Sequence, residues 1–150
     1  MQDVRIFSSA AWELSLPDDW VQKDFTEHGA VCLELLDGSK ALYLTTWTLG
    51  DGESRTPADI AVSFKGTEAR ALQDMEGYSW NVCADRTNES QAMAVVVTDY
   101  LAAANSYRII TKILVRPPVV VRASFHDYLC DNYDTSREYF ASILDSLNLV

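Results

Sequence analysis

The residues best suited to chemistry lie in the segment His126-Asp127-Tyr-Leu-Cys130-Asp131. If a β-strand continued to Cys130, its thiol and the His126 imidazole would share one face of the sheet, two pleats apart. That arrangement is typical of a nucleophile with its general base, or of half a metal site. A working metal site needs further ligands, and the other histidine, His28, lies in a distant predicted loop. We rank a structural strand end above a thiol or metal enzyme, and we predict no catalytic, cofactor or metal-binding residue.

Other catalytic signatures are absent from the sequence. It contains no G-x-S-x-G nucleophile motif, no phosphate-binding loop and no G-x-G-x-x-G dinucleotide motif. Asp18 and Asp19 form a carboxylate pair, but adjacent acids before Trp20 are more typical of a solvated turn than of acid–base catalysis. The three cysteines, an odd number without C-x-x-C spacing, argue against a disulfide framework and a structural zinc site.

The net charge is −10, from 22 acidic and 12 basic residues. Such a surface repels phosphate backbones and anionic membranes, so we expect neither nucleic-acid binding nor membrane insertion. No apolar run reaches the roughly 18 residues of a membrane span, and the N-terminus lacks a basic start followed by an apolar segment. We therefore expect a soluble cytoplasmic protein. An acidic surface speeds the encounter with a basic partner protein, although acidity also serves solubility alone.

His126 and Asp127 lie at the end of a predicted three-stranded meander. β-Branched and aromatic residues dominate residues 92–100, 106–115 and 119–128, and short reversals separate these strands at 103–105 and at Pro117-Pro118. Short connections favour antiparallel pairing. Because both faces of this sheet carry apolar residues, both need cover.

Earlier strands are predicted from alternation and turn chemistry. Trp12, Leu14 and Leu16 alternate with polar residues and predict a half-buried strand, and Trp20 is expected to enter the core. Asp37-Gly38 predicts a type I′ hairpin turn between strands 31–36 and 40–48. A further strand is predicted at 78–84, with a turn at 86–90 leading into the meander.

Two amphipathic helices supply the cover. Thr56, Pro57 and Asp59 predict a capped helix start, and Gly77 is the expected C-terminal cap. Thr135-Ser-Arg-Glu138 predicts a second capping box for a terminal helix. The predicted fold is α+β, a single antiparallel sheet with two helices packed on it, forming one domain over 1–150. The buried faces of the helices are expected to be Ile60, Phe64, Ala71, Leu72 and Met75 in the first and Phe140, Ile143, Leu144 and Leu147 in the second.

One face of the last two long strands is predicted to mix charged and apolar residues, while the other is apolar throughout. With two aromatic residues of strand 40–48 nearby, the mixed face would suit a partner protein. Alternatively, the stems of Arg108, Lys112 and Arg122 pack under the terminal helix and their charges reach its acids. The candidate partner-binding residues are Asp18, Asp19, Tyr43, Trp47, Asp51, Glu53, Lys112 and Arg122.

Four short segments resemble the PsbP/DcrB-like α/β/α sandwich superfamily, which also includes a Ran-GTPase release factor. They are Leu16-Pro17-Asp18-Asp19-Trp20, Gly77-Tyr78, Arg116-Pro117-Pro118-Val119-Val120 and Ile143-Leu144-Asp145-Ser146-Leu147. The resemblance implies that sandwich fold and, since members are mostly binding proteins, no catalytic residues. It also points to a bacterial branch of similar length, whose members are chaperones for toxins exported by type VI secretion.

We therefore expect a non-enzymatic protein-binding module accessory to bacterial toxin delivery. As an immunity protein it would block a cognate basic toxin with its acidic surface, and the net charge favours this version. As a type VI secretion effector chaperone it would shield hydrophobic segments of the effector in an apolar groove, and the resemblance favours that version. An enzyme using Cys130 and His126 is the third hypothesis.

Overall fold

A computed structural model of the chain describes residues 3–23 and 30–150. The elements in chain order are β1 (Val4–Ser8), β2 (Trp12–Pro17), β3 (Trp20–Lys23), β4 (Val31–Leu35), β5 (Lys40–Thr48), α1 (Pro57–Gln73), β6 (Asn81–Glu89), β7 (Ala94–Ala102), β8 (Tyr107–Arg116), β9 (Val119–Asp127), α2 (Tyr133–Ser146) and β10 (Asn148–Leu149). No helix in these two ranges is long and apolar enough to cross a membrane.

A seven-stranded antiparallel sheet forms the centre of the fold, in the order β3-β4-β5-β9-β8-β7-β6. Its strands β7, β8 and β9 are the predicted meander, which is confirmed with its two reversals. The first reversal is a short 3-10 turn at Ala103–Asn105, and the second contains the cis Pro117-Pro118 peptide bond. The β-branched residues of these strands fit the pleated, buried surface that they form.

A second sheet of three strands, β1-β2-β10, was not predicted, so the expectation of a single sheet is wrong. β2 is the predicted strand with Trp12, Leu14 and Leu16 buried. β1 is exposed along most of its length, and β10 has only two residues, which pair with Glu13 and Trp12. Neither strand has a buried alternating face of its own, so periodicity could not reveal them.

The helices cover opposite faces of the large sheet, which confirms the α+β class. α1 packs chiefly on β7 and β8, where Ile60 and Ala61 join a buried cluster with Val96 and Ile113. On the other face, α2 and β2 share one core. Its residues include Trp12, Leu14, Leu16, Trp20, Leu42, Phe125, Phe140 and Ile143.

The start of α1 is as predicted, but its end is not. The Thr56 side chain accepts a hydrogen bond from the Asp59 backbone N–H. The helix ends at Gln73 with Asp74 as its cap, and Gly77 (φ +83°) lies in the turn beyond it. The Asp74 N–H bonds the Arg70 carbonyl, so the last turn closes without a left-handed residue.

The hairpin between β4 and β5 forms, but it is not the predicted type I′ turn. Of its residues only Gly38 has a positive φ, at +76°, whereas a type I′ turn needs two such residues in succession. The Asp37 side chain instead accepts hydrogen bonds from the Ser39 N–H and hydroxyl. This side-chain bond to the backbone stabilises a longer loop.

β6 lies later in the chain than predicted. The strand is Asn81–Glu89, and the turn follows it, where the Ser90 N–H donates to the Met93 carbonyl. All nine residues of β6 are exposed, because it is an edge strand that pairs only with β7. Its residues are therefore mostly polar, which is also typical of turns, and this is why the sequence predicted a turn at 86–90.

The cap of α2 gives a first testable prediction. The Asn132 side chain accepts from the Thr135 N–H at 3.0 Å, so the predicted capping box starting at Thr135 is wrong by three positions. Replacing Asn132 with Ala is expected to cost about 1 kcal/mol of unfolding free energy, since one helix N–H loses its acceptor. The matched Thr135→Ala variant should change it by less than about 0.5 kcal/mol. Urea unfolding of both variants measures this, and equal losses would contradict the assignment.

Candidate functional site

The charged residues of β8 and β9 lie on both faces of the large sheet. Arg122 pairs across from Thr45 and Ile113 and faces α1, whereas Lys112 pairs across from Val97 and Ala123 and faces α2. The predicted division into one apolar and one mixed face is therefore wrong. The alternation of side chains along one strand does not show which residues of the adjacent strands lie on the same face. Only the register of strand pairing shows this.

Lys112 is a buried residue beneath α2. Its Nζ donates to the carbonyl oxygens of Leu144 at 2.6 Å and Leu147 at 2.8 Å, at the C-terminal end of the helix. A cation there complements the helix dipole, and burial lowers the pKa of this amine. The stem of Lys112 thus packs under the terminal helix, as one hypothesis held. Its ammonium bonds backbone carbonyls, and the charge of Asp145 on α2 partly offsets the effect of burial on the pKa of this amine.

On the α1 side, part of the sheet lies beside the helix and not under it. Because α1 packs chiefly on β7 and β8, the neighbouring faces of β5 and β9 are partly exposed. We call this surface the open strip and define it by Tyr43, Thr45, Trp47 and Arg122. Trp47 is 37% exposed. The structure thus brings together three of the predicted partner-binding residues.

A cleft of about 470 Å³ separates the open strip from α1. Its walls are mostly apolar, and the rings of Trp47 and Phe64 meet edge to face, with centroids 4.8 Å apart. A cleft of this size and lining is typical of ligand and partner sites. The lining residues are Trp47, Ser63, Phe64, Thr67, Glu68, Ala71 and Arg122.

Glu68 is the buried carboxylate of this cleft, with 5% of its surface exposed. One oxygen accepts from Arg122 Nε at 3.0 Å, and the other accepts from the hydroxyls of Tyr100 at 2.9 Å and Thr111 at 2.5 Å. Burial, together with the charge of Glu68, raises the pKa of Tyr100, which keeps this donor protonated. Glu68 therefore holds the Arg122 guanidinium in one position.

Glu68 is not among the residues predicted from the sequence, although the sequence contains a signal for it. Ile60, Phe64, Glu68 and Leu72 follow one another at four-residue spacing, which places them on one face of a helix. A carboxylate within such an apolar row must find buried donors. The predicted face had Ala71 in place of Glu68, but Ala71 is exposed.

His126 belongs to an aromatic cluster near the same strip. The Tyr107 hydroxyl and His126 Nδ1 share a hydrogen bond at 2.6 Å, and Nε2 bonds the Ser124 hydroxyl at 2.8 Å. The rings of Tyr43 and Tyr128 lie 5.2 and 5.7 Å from the imidazole, centroid to centroid. Burial first, and the charge of Arg122 second, lower the pKa of His126 to about 4. The imidazole is therefore neutral at pH 7, with both ring nitrogens hydrogen-bonded.

Cys130 is not placed to act with His126. β9 ends at Asp127, so the strand does not reach Cys130, and this thiol interacts with Ser136 and Arg108 on the α2 side of the sheet. His126 faces the α1 side, and burial raises the pKa of the Cys130 thiol. The geometric premise of a Cys–His enzyme is therefore wrong.

Metal ligands do not gather in the part of the chain that the structure describes. Across residues 3–23 and 30–150, no group of three or more His, Cys, Asp or Glu side chains could hold a metal ion. His28, the second histidine, falls outside these ranges.

The acidic candidates lie at the two ends of β5. Asp18 and Asp19 form the β2–β3 turn beside the start of β5, where the Asp19 carbonyl accepts from the Leu36 N–H. Asp51 and Glu53 follow the other end of β5, which has nine residues and is about 30 Å long. The hydrogen bonds from Arg55 lower the pKa of Glu53 to about 2. The four acids therefore flank the sheet and do not form one cluster.

Comparisons with known proteins identify the fold. No family model and no curated protein sequence matches the chain. The chain is similar to the solution structure of cyanobacterial PsbP (CyanoP) from Synechocystis sp. PCC 6803, with 15% identity, a TM-score of 0.72, and coverage of 100% of this chain and 94% of that one. The Ran-binding protein Mog1p from Saccharomyces cerevisiae is 7% identical, with a TM-score of 0.61 and coverage of 100% and 97%.

A third similar structure comes from Bacteroides thetaiotaomicron VPI-5482, at 13% identity and a TM-score of 0.55, and the match covers 100% of this chain but 49% of that one. At these identities the likeness shows the fold alone. The chain has a PsbP-like fold, as the sequence resemblance implied.

Proposed function

We propose that this chain is a non-enzymatic protein-binding module and that the open strip is its partner-binding surface. The observation that carries the proposal is the position of α1, which leaves Trp47 of β5 exposed beside a cleft, with Tyr43 half-buried on the same face of the strand. Trp, Tyr and Arg are the residues most enriched at binding hot spots, and the strip contains all three as Trp47, Tyr43 and Arg122. The Ran-binding protein Mog1p is a protein of similar fold whose name records a protein partner.

Two versions of this function in bacterial toxin delivery have separate support. The net charge of −10 supports a cytoplasmic immunity protein that neutralises a basic toxin, and four of the acids lie at the two ends of β5. The mostly apolar lining of the cleft favours the second version, a type VI secretion effector chaperone that shields hydrophobic segments.

A pull-down with the wild-type protein and a Trp47→Ala variant tests the proposal. We expect the variant to retain at most a tenth of the captured partner, because a partly exposed aromatic anchor is removed. The control is Ile6→Ala on β1, which removes a side chain that is 73% exposed but distant in the fold from the strip. A partner bound equally by all three proteins would contradict the proposed surface, and no partner at all would contradict the module itself.

The effect of salt on capture of the partner distinguishes the immunity version from the chaperone version. Raising the salt from about 0.1 M to about 0.5 M screens exposed charge pairs, so a basic toxin should be lost. A hydrophobic effector should remain bound, since apolar contacts do not weaken with added salt. Trp47-dependent capture at both salt levels therefore supports the chaperone version, and capture at low salt alone supports the immunity version.

A further inference from the structure

Arg122 has hydrogen-bonding capacity that the described residues do not use. Its bond to Glu68 involves Nε, and within residues 3–23 and 30–150 neither Nη1 nor Nη2 has a hydrogen-bond partner. The Arg122 side chain is 28% exposed, against 3% for Glu68, and both line the cleft. A guanidinium held at Nε by a buried carboxylate therefore presents its two terminal nitrogens to the cleft side.

Two parallel N–H donors match the two oxygens of a carboxylate. Around them the cleft is mostly apolar, with the rings of Trp47 and Phe64 as its largest surfaces. Its volume of about 470 Å³ lies within the range for small-molecule sites. A ligand that satisfies both features carries one carboxylate on an apolar body.

The charges of the cleft and of the whole chain restrict the class of ligand further. Glu68 already offsets the charge of Arg122, and the chain as a whole carries −10, so a bare inorganic anion gains no long-range attraction. Burial of an apolar body must supply the remaining free energy. A neutral apolar ligand, in turn, would leave the two terminal nitrogens without an acceptor.

We propose that the cleft between α1 and the open strip binds a small carboxylic acid with an aromatic or aliphatic body. The carboxylate accepts from Arg122 Nη1 and Nη2, and the body lies against Trp47 and Phe64. This site shares Trp47 and Arg122 with the proposed partner-binding surface. The two proposals can fail separately, because the binding test below contains a small acid and no second protein.

Phenylacetate and its neutral amide, phenylacetamide, are matched probes for the test. We expect phenylacetate to shift the backbone NMR signals of Trp47, Phe64 and Arg122 saturably, and phenylacetamide to bind at least tenfold more weakly. Arg122→Gln should weaken phenylacetate binding at least tenfold. Arg137→Gln on α2, outside this cleft, should leave it unchanged.

A second variant keeps the test valid if Arg122→Gln does not fold. Ala71→Leu enlarges an exposed side chain that lines the cleft and leaves the Glu68–Arg122 pair intact. It should block phenylacetate without changing the thermal unfolding temperature by more than a few degrees. Equal affinity for the acid and the amide, unsaturable shifts, or unchanged binding by Ala71→Leu would each overturn the proposal.

Discussion

Replacing Arg108 with Met is expected to lower the free energy of unfolding by about 3–5 kcal/mol. Arg108 is only 2% exposed, and it donates to both oxygens of Asp99 at 2.9 and 2.8 Å. Its third bond, from Nη1, goes to the Ser136 hydroxyl at 2.9 Å, and Ser136 in turn donates to Asp127 at 2.7 Å. Met fills similar space but leaves the buried Asp99 carboxylate without its cation, and that uncompensated charge causes the loss.

A double variant separates this charge effect from lost packing. The double variant Arg108→Met with Asp99→Leu removes both charges. It should therefore lose less unfolding free energy than the single variant Arg108→Met. Arg116→Met is the matched control, because Arg116 is exposed and its bond goes to the Val150 backbone carbonyl, and its effect should be within about 0.5 kcal/mol. Urea unfolding measures all three. A loss below about 1 kcal/mol for Arg108→Met would show that the network does not need its cation.

Lowering the pH from 7 to 5 is expected to reduce the free energy of unfolding through His126 by about 2 kcal/mol. Its pKa is about 4 in the folded protein, below the ordinary value of about 6.5 for an exposed histidine. Between these two values the unfolded chain binds the proton and the folded protein does not. The stabilisation is therefore complete above about pH 6.5 and is lost as the pH falls toward 4.

A His126→Gln variant tests this assignment. The amide of Gln supplies one donor and one acceptor for Tyr107 and Ser124 but does not titrate. Unfolding curves at pH 7, 6 and 5 should show a smaller decrease for the variant than for the wild type, whatever their stabilities at pH 7. A decrease of equal size in both proteins would assign the pH dependence to groups other than His126.

Local chemistry predicted much of the fold, and the failures share one cause. The strands β2, β4, β5, β7, β8 and β9 and the start of α1 followed from alternation, β-branched composition and capping, which act between residues near in sequence. The strands β1, β6 and β10 depend on backbone pairing with distant strands, and their side chains are mostly exposed. The pattern of apolar and polar side chains along the sequence does not indicate such pairing.

The candidate site was predicted in part. The sequence indicated Tyr43, Trp47 and Arg122 as partner-binding candidates, and the structure places them on one strip. It also places Lys112 under α2, on the opposite face, and separates Asp18 and Asp19 from Asp51 and Glu53. Whether any of these residues contacts a partner stays a prediction.

By itself, the sequence determined the α+β class, the meander and the two helices, because helix and strand periods are local properties of the chain. Only the tertiary structure decided that Glu68 meets Arg122, that His126 and Cys130 face opposite sides of the sheet, and that α1 leaves β5 partly uncovered. Each of these depends on strand register and on where a helix lies across the sheet. Both are set by packing among residues that are distant in sequence.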